Sequence, residues 1–149
     1  MTVKNVLFIC TGNTCRSPMA EAILKSKNQE GVTVRSAGVF AFDGSPASEN
    51  TTIILNEKNI KHNHSSKQLT EEDVKSATHI FTMTENHKAT IMNLYPFAAD
   101  KVFTLYEFAD GNKMDVIDPY GGSVEIYRET FHELDKLIEK LLDKLDKGQ

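Results

Sequence analysis

Cys10-Thr11-Gly12-Asn13-Thr14-Cys15-Arg16-Ser17-Pro18 joins two segments of different character. Before it stands a short apolar run, Val6-Leu7-Phe8-Ile9, the pattern of a buried strand. After it comes Met19-Ala20-Glu21-Ala22-Ile23-Leu24-Lys25, a helical composition. Pro18 suits a first helical turn, where a missing N–H costs little. The stretch therefore reads as a strand-to-helix turn whose new helix points its N-terminus back at Cys10. Backbone N–H groups and the helix dipole converge there on one concave spot suited to an anion. Gly12 and Asn13 are expected to take left-handed conformations that tighten the turn. Arg16 can curl back to grip two phosphate oxygens. Cys10 then lies on the floor of the cradle, its thiolate favoured by the same N–H groups and cation and poised for in-line attack on phosphorus. A lone buried cysteine is usually an inert small hydrophobe. Here Cys, Gly, Asn, Arg, Ser and Pro all stand where a thiol phosphatase needs them.

Outward from this turn, strand and helix signals alternate. The first strand is expected over residues 3–10 and the first helix from Pro18 to about Asn28. Residues 32–36 alternate and are rich in β-branched side chains, which predicts a second strand. The helix between makes the two strands parallel, joined by a right-handed crossover. Residues 38–48 read as a loop punctuated by Asp43-Gly44-Ser45-Pro46. In it, Phe40 is expected as a pocket wall and Phe42 as a satellite core residue folded onto the sheet. A helix is expected over residues 47–59. His62 and His64 follow and read as solvated loop histidines, since no further ligands converge on them. Thr70-Glu71-Glu72-Asp73 opens a short helix to about Ala77.

Residues 79–83 form the third expected strand. Thr84 caps a helix to about Leu94, with Ile91 and Leu94 inward, and Pro96 stops it. Residues 102–105 are the fourth strand, and residues 109–122 a loop. Ser123 caps a long final helix with an apolar stripe of Val124, Tyr127, Phe131, Leu134, Ile138, Leu141 and Leu145. Strands alternating with helices predict an α/β three-layer sandwich with a four-stranded parallel sheet. Ligands of such sheets sit at the carboxyl ends of the strands, where Cys10 lies.

With 149 residues, the chain is expected to form one domain over residues 1–149 with a full core. A net charge of −4 argues against nucleic-acid partners, which need a basic face. No apolar run reaches a membrane span and no signal-peptide pattern is present, so a cytoplasmic location without membrane association is expected. Two cysteines five apart make neither a disulfide framework nor a zinc site. No metal and no cofactor are expected.

The 10–18 stretch resembles the signature of the low-molecular-weight protein tyrosine phosphatase family. Asp118-Pro119-Tyr120-Gly121 resembles that family's general-acid loop, and Ser36-Ala37-Gly38-Val39 the segment after its second strand. The resemblance spans nearly the whole chain. Thr14 and the run from Asp118 to Gly122 resemble most the bacterial protein-arginine phosphatase branch. The resemblance implies a strand order of 2-1-3-4. It implies Cys10 as nucleophile, with a cysteinyl-phosphate intermediate, and Asp118 as general acid, turning base to activate water. Thr11, Gly12, Asn13, Thr14, Cys15, Arg16 and Ser17 would bind the phosphate. Ser17 can hydrogen-bond the Cys10 thiolate, and Asn13 and Ser36, by resemblance, support the loop. Tyr120 can flank the pocket and stack on a flat leaving group.

Cys15 can condense with an oxidised Cys10 into a disulfide, protecting the nucleophile as its redox partner. Tyrosine phosphatases of the family usually carry a second aromatic where Gly121 stands, and a bulky aliphatic residue where Thr14 stands. Gly121 thus counts against a pocket tailored to a phenyl ring, and Thr14 together with Asp118, whose carboxyl can contact guanidinium N–H groups, favours phosphoarginine in proteins as substrate, with phosphotyrosine as the alternative. The resemblance further implies phosphorylated proteins as partners, opposition to a protein-arginine kinase, and a monomer. An arsenate reductase of this fold would need resolving cysteines outside the loop, and the chain has none. A phosphopeptide-binding module without turnover would not need both Cys10 and Asp118. A nucleotide-binding loop is excluded by the missing Gly-Lys-Ser/Thr ending.

Overall fold

The computed structural model describes residues 3–146. Its elements run β1 (Lys4–Cys10), α1 (Arg16–Ser26), β2 (Val32–Gly38), α2 (Glu49–Glu57), α3 (Glu71–Ser76), β3 (His79–Thr82), α4 (Glu85–Leu94), β4 (Val102–Thr104), α5 (Leu105–Asp110) and α6 (Val124–Asp146), with a 3-10 turn at Pro96–Ala98. The four strands form one sheet in the order β2-β1-β3-β4, every pair parallel. The expected α/β three-layer sandwich and its strand order are what the chain forms.

Alternation along β1 sets the layers. Val6, Phe8 and Cys10 face the core shared with α1, α2, α5 and α6. Leu7 and Ile9 face the opposite core, closed by Val74 of α3 and Ile91 of α4. Central strands of a parallel sheet are covered on both faces and so read as unbroken apolar runs. Phe8, Ile9, Leu134, Ile138 and Leu141 are fully buried, each worth about 1.5–3 kcal/mol of transfer free energy. The α6 stripe expected from the sequence packs inward, Val124 only in part. Ser123 caps α6, accepting the Ile126 N–H on its Oγ at 3.4 Å.

Four local expectations are corrected. Helix α1 begins at Arg16, two residues before Pro18, so the cradle flows into the helix without a spacer. Strand β4 ends at Thr104 because that side chain caps α5 in a reciprocal capping box with Glu107, and Gly111 closes the helix in a left-handed conformation. Leu94 is exposed, since the last turn of α4 runs past the edge of the core that Ile91 fills. Phe42 is exposed too: the loop is held by polar bonds of Ser66 to the Phe42 carbonyl and the Ser45 N–H, which need no packing of its ring. Among the described residues no helix is long and apolar enough to cross a membrane.

Candidate active site

Cys10 is the last residue of β1, opposite Gly38 at the end of β2, at the carboxyl edge of the sheet where α/β proteins bind ligands. Here the first turn of α1 carries no acidic side chain, so its N-terminal field is left to attract an anion. A cavity of about 270 Å³ opens at this point, lined by Cys10, Thr11, Gly12, Thr14, Cys15, Arg16, Asp118 and Tyr120. Residues more than a hundred positions apart thus share one wall.

Behind the cavity the polar groups form a directed chain. Asn13 is fully buried with φ 58°, a left-handed conformation that asparagine tolerates. Its Nδ2 donates to Ser17 Oγ at 2.8 Å and to Ser36 Oγ at 2.9 Å, while its Oδ1 accepts the Lys67 N–H at 2.9 Å. Because Ser17 Oγ accepts from Asn13, its own proton is free to be donated to Cys10 Sγ, 2.8 Å away. Ser36, accepting from the same amide, donates onward to Glu21 Oε1 at 2.6 Å. His64 closes the network, its Nε2 donating to the Asn13 carbonyl at 2.6 Å and its Nδ1 standing 3.8 Å from Glu21. Burial pushes the Glu21 carboxyl upward, but its interactions with His64, Lys25 and Ser36 outweigh it and hold the group down at about 2.

The expectation of a left-handed Gly12 does not hold: Asn13 alone in the cradle has positive φ. A Cβ on Gly12 would meet nothing nearer than Thr14 Oγ1 at 3.8 Å, so the missing side chain leaves space in the cavity wall. Gly38 is the constrained glycine, because a Cβ there would lie 2.4 Å from the Thr11 carbonyl oxygen. That crowding follows from two bonds that strap the post-β2 loop to the cradle, Val39 N–H to Cys10 O at 3.0 Å and Phe40 N–H to Thr11 O at 2.9 Å. Phe40 itself is 84% exposed and does not line the cavity. The strap uses its backbone and leaves the ring in solvent, so the expected pocket wall is Tyr120 without Phe40.

Arg16 is buried against the loop that carries Val116 and Asp118. Its Nη1 donates to the Val116 carbonyl at 2.9 Å, and its Nη2 lies 3.6 Å from Asp118 Oδ2. Asp118 Oδ1 accepts the Tyr120 N–H at 3.0 Å in a tight turn continued by Gly121 at φ 79°. Asp115, the other nearby acid, spends Oδ1 on the Glu85 N–H at 2.8 Å. Thr14 is fixed through its backbone, where its carbonyl accepts the Ser48 N–H at 2.9 Å and the Thr51 hydroxyl at 3.4 Å. Cys15 is buried with Sγ 3.5 Å from Ser48 Oγ and 3.4 Å from the Tyr127 hydroxyl. Burial and the contact with Cys15 raise Tyr127 to about 12. Both thiols are free.

Sequence reading missed Glu21, His64 and Lys67, and the expectation of solvated histidines is wrong for His64, whose side chain is 8% exposed. Nothing local marks them: His64 and Lys67 meet Asn13 across 51 and 54 positions. Among the described residues, no group of three or more His, Cys, Asp or Glu side chains is placed to hold a metal ion.

Comparison with known proteins gives the chain relatives along nearly its whole length. The profile of the low molecular weight phosphotyrosine protein phosphatase family matches residues 5–149. The chain is 49% identical over 144 residues to a protein-arginine-phosphatase of Geobacillus stearothermophilus, covering 97% of each. A solved structure of YwlE arginine phosphatase from the same organism superposes with a TM-score of 0.96, covering 98% of this chain and 95% of that one at 49% identity. A YwlE mutant with a phosphorylated active-site serine superposes at 0.94, with 47% identity and 97% of each chain covered.

Proposed function

The chain belongs to the low molecular weight phosphotyrosine protein phosphatase family, and from that premise we propose that it hydrolyses phosphoarginine in proteins through a cysteinyl-phosphate. What carries the reading is one wall of one cavity: Cys10, Arg16, Asp118 and Thr14 line it together, and Ser17 stands ready to donate to Cys10. Likeness over nearly the full length to protein-arginine phosphatases supports the nitrogen leaving group.

In the first step Cys10 Sγ attacks phosphorus in line, an S–P bond forms, and the P–N bond breaks. Asp118 delivers its proton to the departing guanidine nitrogen, so arginine leaves neutral at that atom. Backbone N–H groups of residues 11–16 and the Arg16 guanidinium hold the charge on the equatorial oxygens. In the second step Asp118 takes a proton from water, the resulting hydroxide attacks phosphorus, and the S–P bond breaks. Inorganic phosphate leaves and the Cys10 thiolate returns, steadied by Ser17. Thr14 and Asp118 give the site a hydroxyl and a carboxyl oxygen to accept from guanidinium N–H groups, donors that a phenol does not offer.

Side-by-side assays on phosphoarginine and phosphotyrosine peptides test the proposal, with Cys10→Ser as the control that keeps phosphate binding but loses turnover. A higher kcat/KM on phosphotyrosine would replace it with the tyrosine-phosphatase alternative. In the same reading Cys15 is the resolving thiol: mild peroxide should inactivate the parent reversibly, and Cys15→Ala should recover less with thiol after equal oxidation. Equal recovery would remove that role. The proposal extends to a cytoplasmic enzyme acting on phosphorylated proteins against a protein-arginine kinase.

A further inference from the structure

We propose that His87 is a positioning residue of this site: its buried imidazole anchors the Thr11 side chain and braces the phosphate cradle against the turn that holds the acid loop. The inference rests on the phosphatase reading for the consequence of that brace, and on the geometry for its existence.

His87 lies in the first turn of α4, where Thr84 Oγ1 accepts its N–H at 3.0 Å. From there the ring reaches across to β1's end, placing Nε2 2.8 Å from Thr11 Oγ1, a residue 76 positions earlier. Thr11 directly follows the nucleophile and lines the cavity. The ring is only 5% exposed. Among the described residues, its Nδ1 is the one buried side-chain nitrogen or oxygen with no hydrogen-bond partner. Leaving a buried polar atom unmet is costly, and a leucine or phenylalanine would fill the same space without that cost. What histidine brings instead is the bond to Thr11.

The charges facing the ring come from two other elements, Arg16 of α1 and both Asp115 and Asp118 of the acid loop. Burial and Arg16 together outweigh the aspartates and bring the imidazole down to about 4, so it is neutral around pH 7. A neutral ring holds one donor and one acceptor, and either serves a hydroxyl partner.

The turn that carries His87 also carries the acid loop. The Glu85 N–H binds Asp115, and the Val116 N–H donates to the Met83 carbonyl at 2.8 Å, just ahead of α4. Val116 in turn accepts Arg16 on its carbonyl. Nucleophile loop, phosphate-binding arginine and acid loop therefore share one abutment, and His87 is its link to the nucleophile side. Misplacing reacting groups by about 1 Å can cost 10²-fold in rate, so partial loosening should cost about tenfold.

The test is a double-mutant cycle on the full chain with His87→Phe, Thr11→Val and the pair, with His87→Gln as the conservative rescue. Readouts are kcat and KM on para-nitrophenyl phosphate, inhibition by inorganic phosphate, and thermal midpoints. Each single change should lower kcat/KM about tenfold, the pair should be no worse than the poorer single, and His87→Gln should recover most of the loss. Multiplying effects in the pair, or parent kcat/KM in His87→Phe, overturns the proposal. Should His87→Phe not fold, nitrogen NMR of the His87 ring in Thr11→Val decides: loss of the hydroxyl must move the Nε2 resonance, and an unmoved one overturns the bond. A parent inactive on every phosphorylated substrate would instead sink the phosphatase reading, and the NMR arm would still report on the brace.

Discussion

At Asp118, which lines the cavity, the two carboxyl oxygens are divided: Oδ1 takes the Tyr120 N–H, and Oδ2 faces Arg16. Asp115 lies nearby but is spent on the start of α4. Asp118→Ala should therefore slow cysteinyl-phosphate formation by about 10²–10⁴, most for poor leaving groups. Burst kinetics on a peptide substrate measure this, and an unchanged rate would move the acid to Asp115. Thr14 offers a cleaner probe of substrate choice, because its carbonyl is pinned by Ser48 and Thr51. Substitution there changes the cavity wall and leaves the main chain in place. Thr14→Ile exchanges a hydroxyl for hydrocarbon, so phosphoarginine turnover should fall and phosphotyrosine turnover rise. Loss on both in parallel would make Thr14 a keeper of loop shape without a part in selection.

Between elements, β2 comes close against the cradle. Gly38 closes β2 with its Cα under the Thr11 carbonyl, and any Cβ would have to displace backbone. Gly38→Ala should push Thr11 and Phe40 apart, breaking the 2.9 Å strap between them. The expected cost is about 1–3 kcal/mol of stability together with a fall in kcat/KM of about tenfold or more. Urea midpoints and steady-state rates measure the two, and a variant with parent values for both would show the strap to be slack. Element boundaries were legible where side chains cap their own helix. Thr70, Thr84 and Ser123 all serve as expected, each bonding an N–H three residues on. Helix α5 carried the same sign in Thr104-x-x-Glu107, followed by Gly111. Leu105 masks that sign by extending the apolar run of β4. The early start of α1 had no such sign, since Cys15 makes no side-chain cap.

Across the whole molecule, Glu21 and His87 tie layers together and give stability a predictable acid side. The Glu21 carboxyl sits at about 2 in the fold against an ordinary 4.5. Unfolded chains bind its proton first, so this contribution is complete above pH 4.5 and drains as pH falls toward 2. His87 runs from 6.5 down to about 4 on folding. Its neutral burial therefore begins to cost stability as pH drops below 6.5, levelling near 4. Urea denaturation between pH 7 and 3 should show stability falling throughout, with His87→Gln flattening the upper part and Glu21→Gln the lower. A parent curve flat from pH 6.5 to 4 would contradict the buried neutral histidine.

From sequence alone came the alternation of strand and helix, the turn of residues 10–18 at a strand's carboxyl end, and the pairing of Cys10 with Arg16. Those are local facts: periodicity of apolar side chains, a helix start, and six residues of reach. The strand order came with the family resemblance, and the sheet pairing bears it out. What only the tertiary structure decided is the support behind the cradle. Ser36 came with the family resemblance, but His64 and Lys67 reach Asn13, Glu21 accepts the Ser36 hydroxyl, and His87 meets Thr11 through bonds that cross from one element to another. No spacing rule marks a histidine whose partner lies 51 or 76 positions away. Such a side chain looks solvated until the sheet brings β1, β2 and α4 to the same edge, where burial turns each of its hydrogen bonds from optional to required.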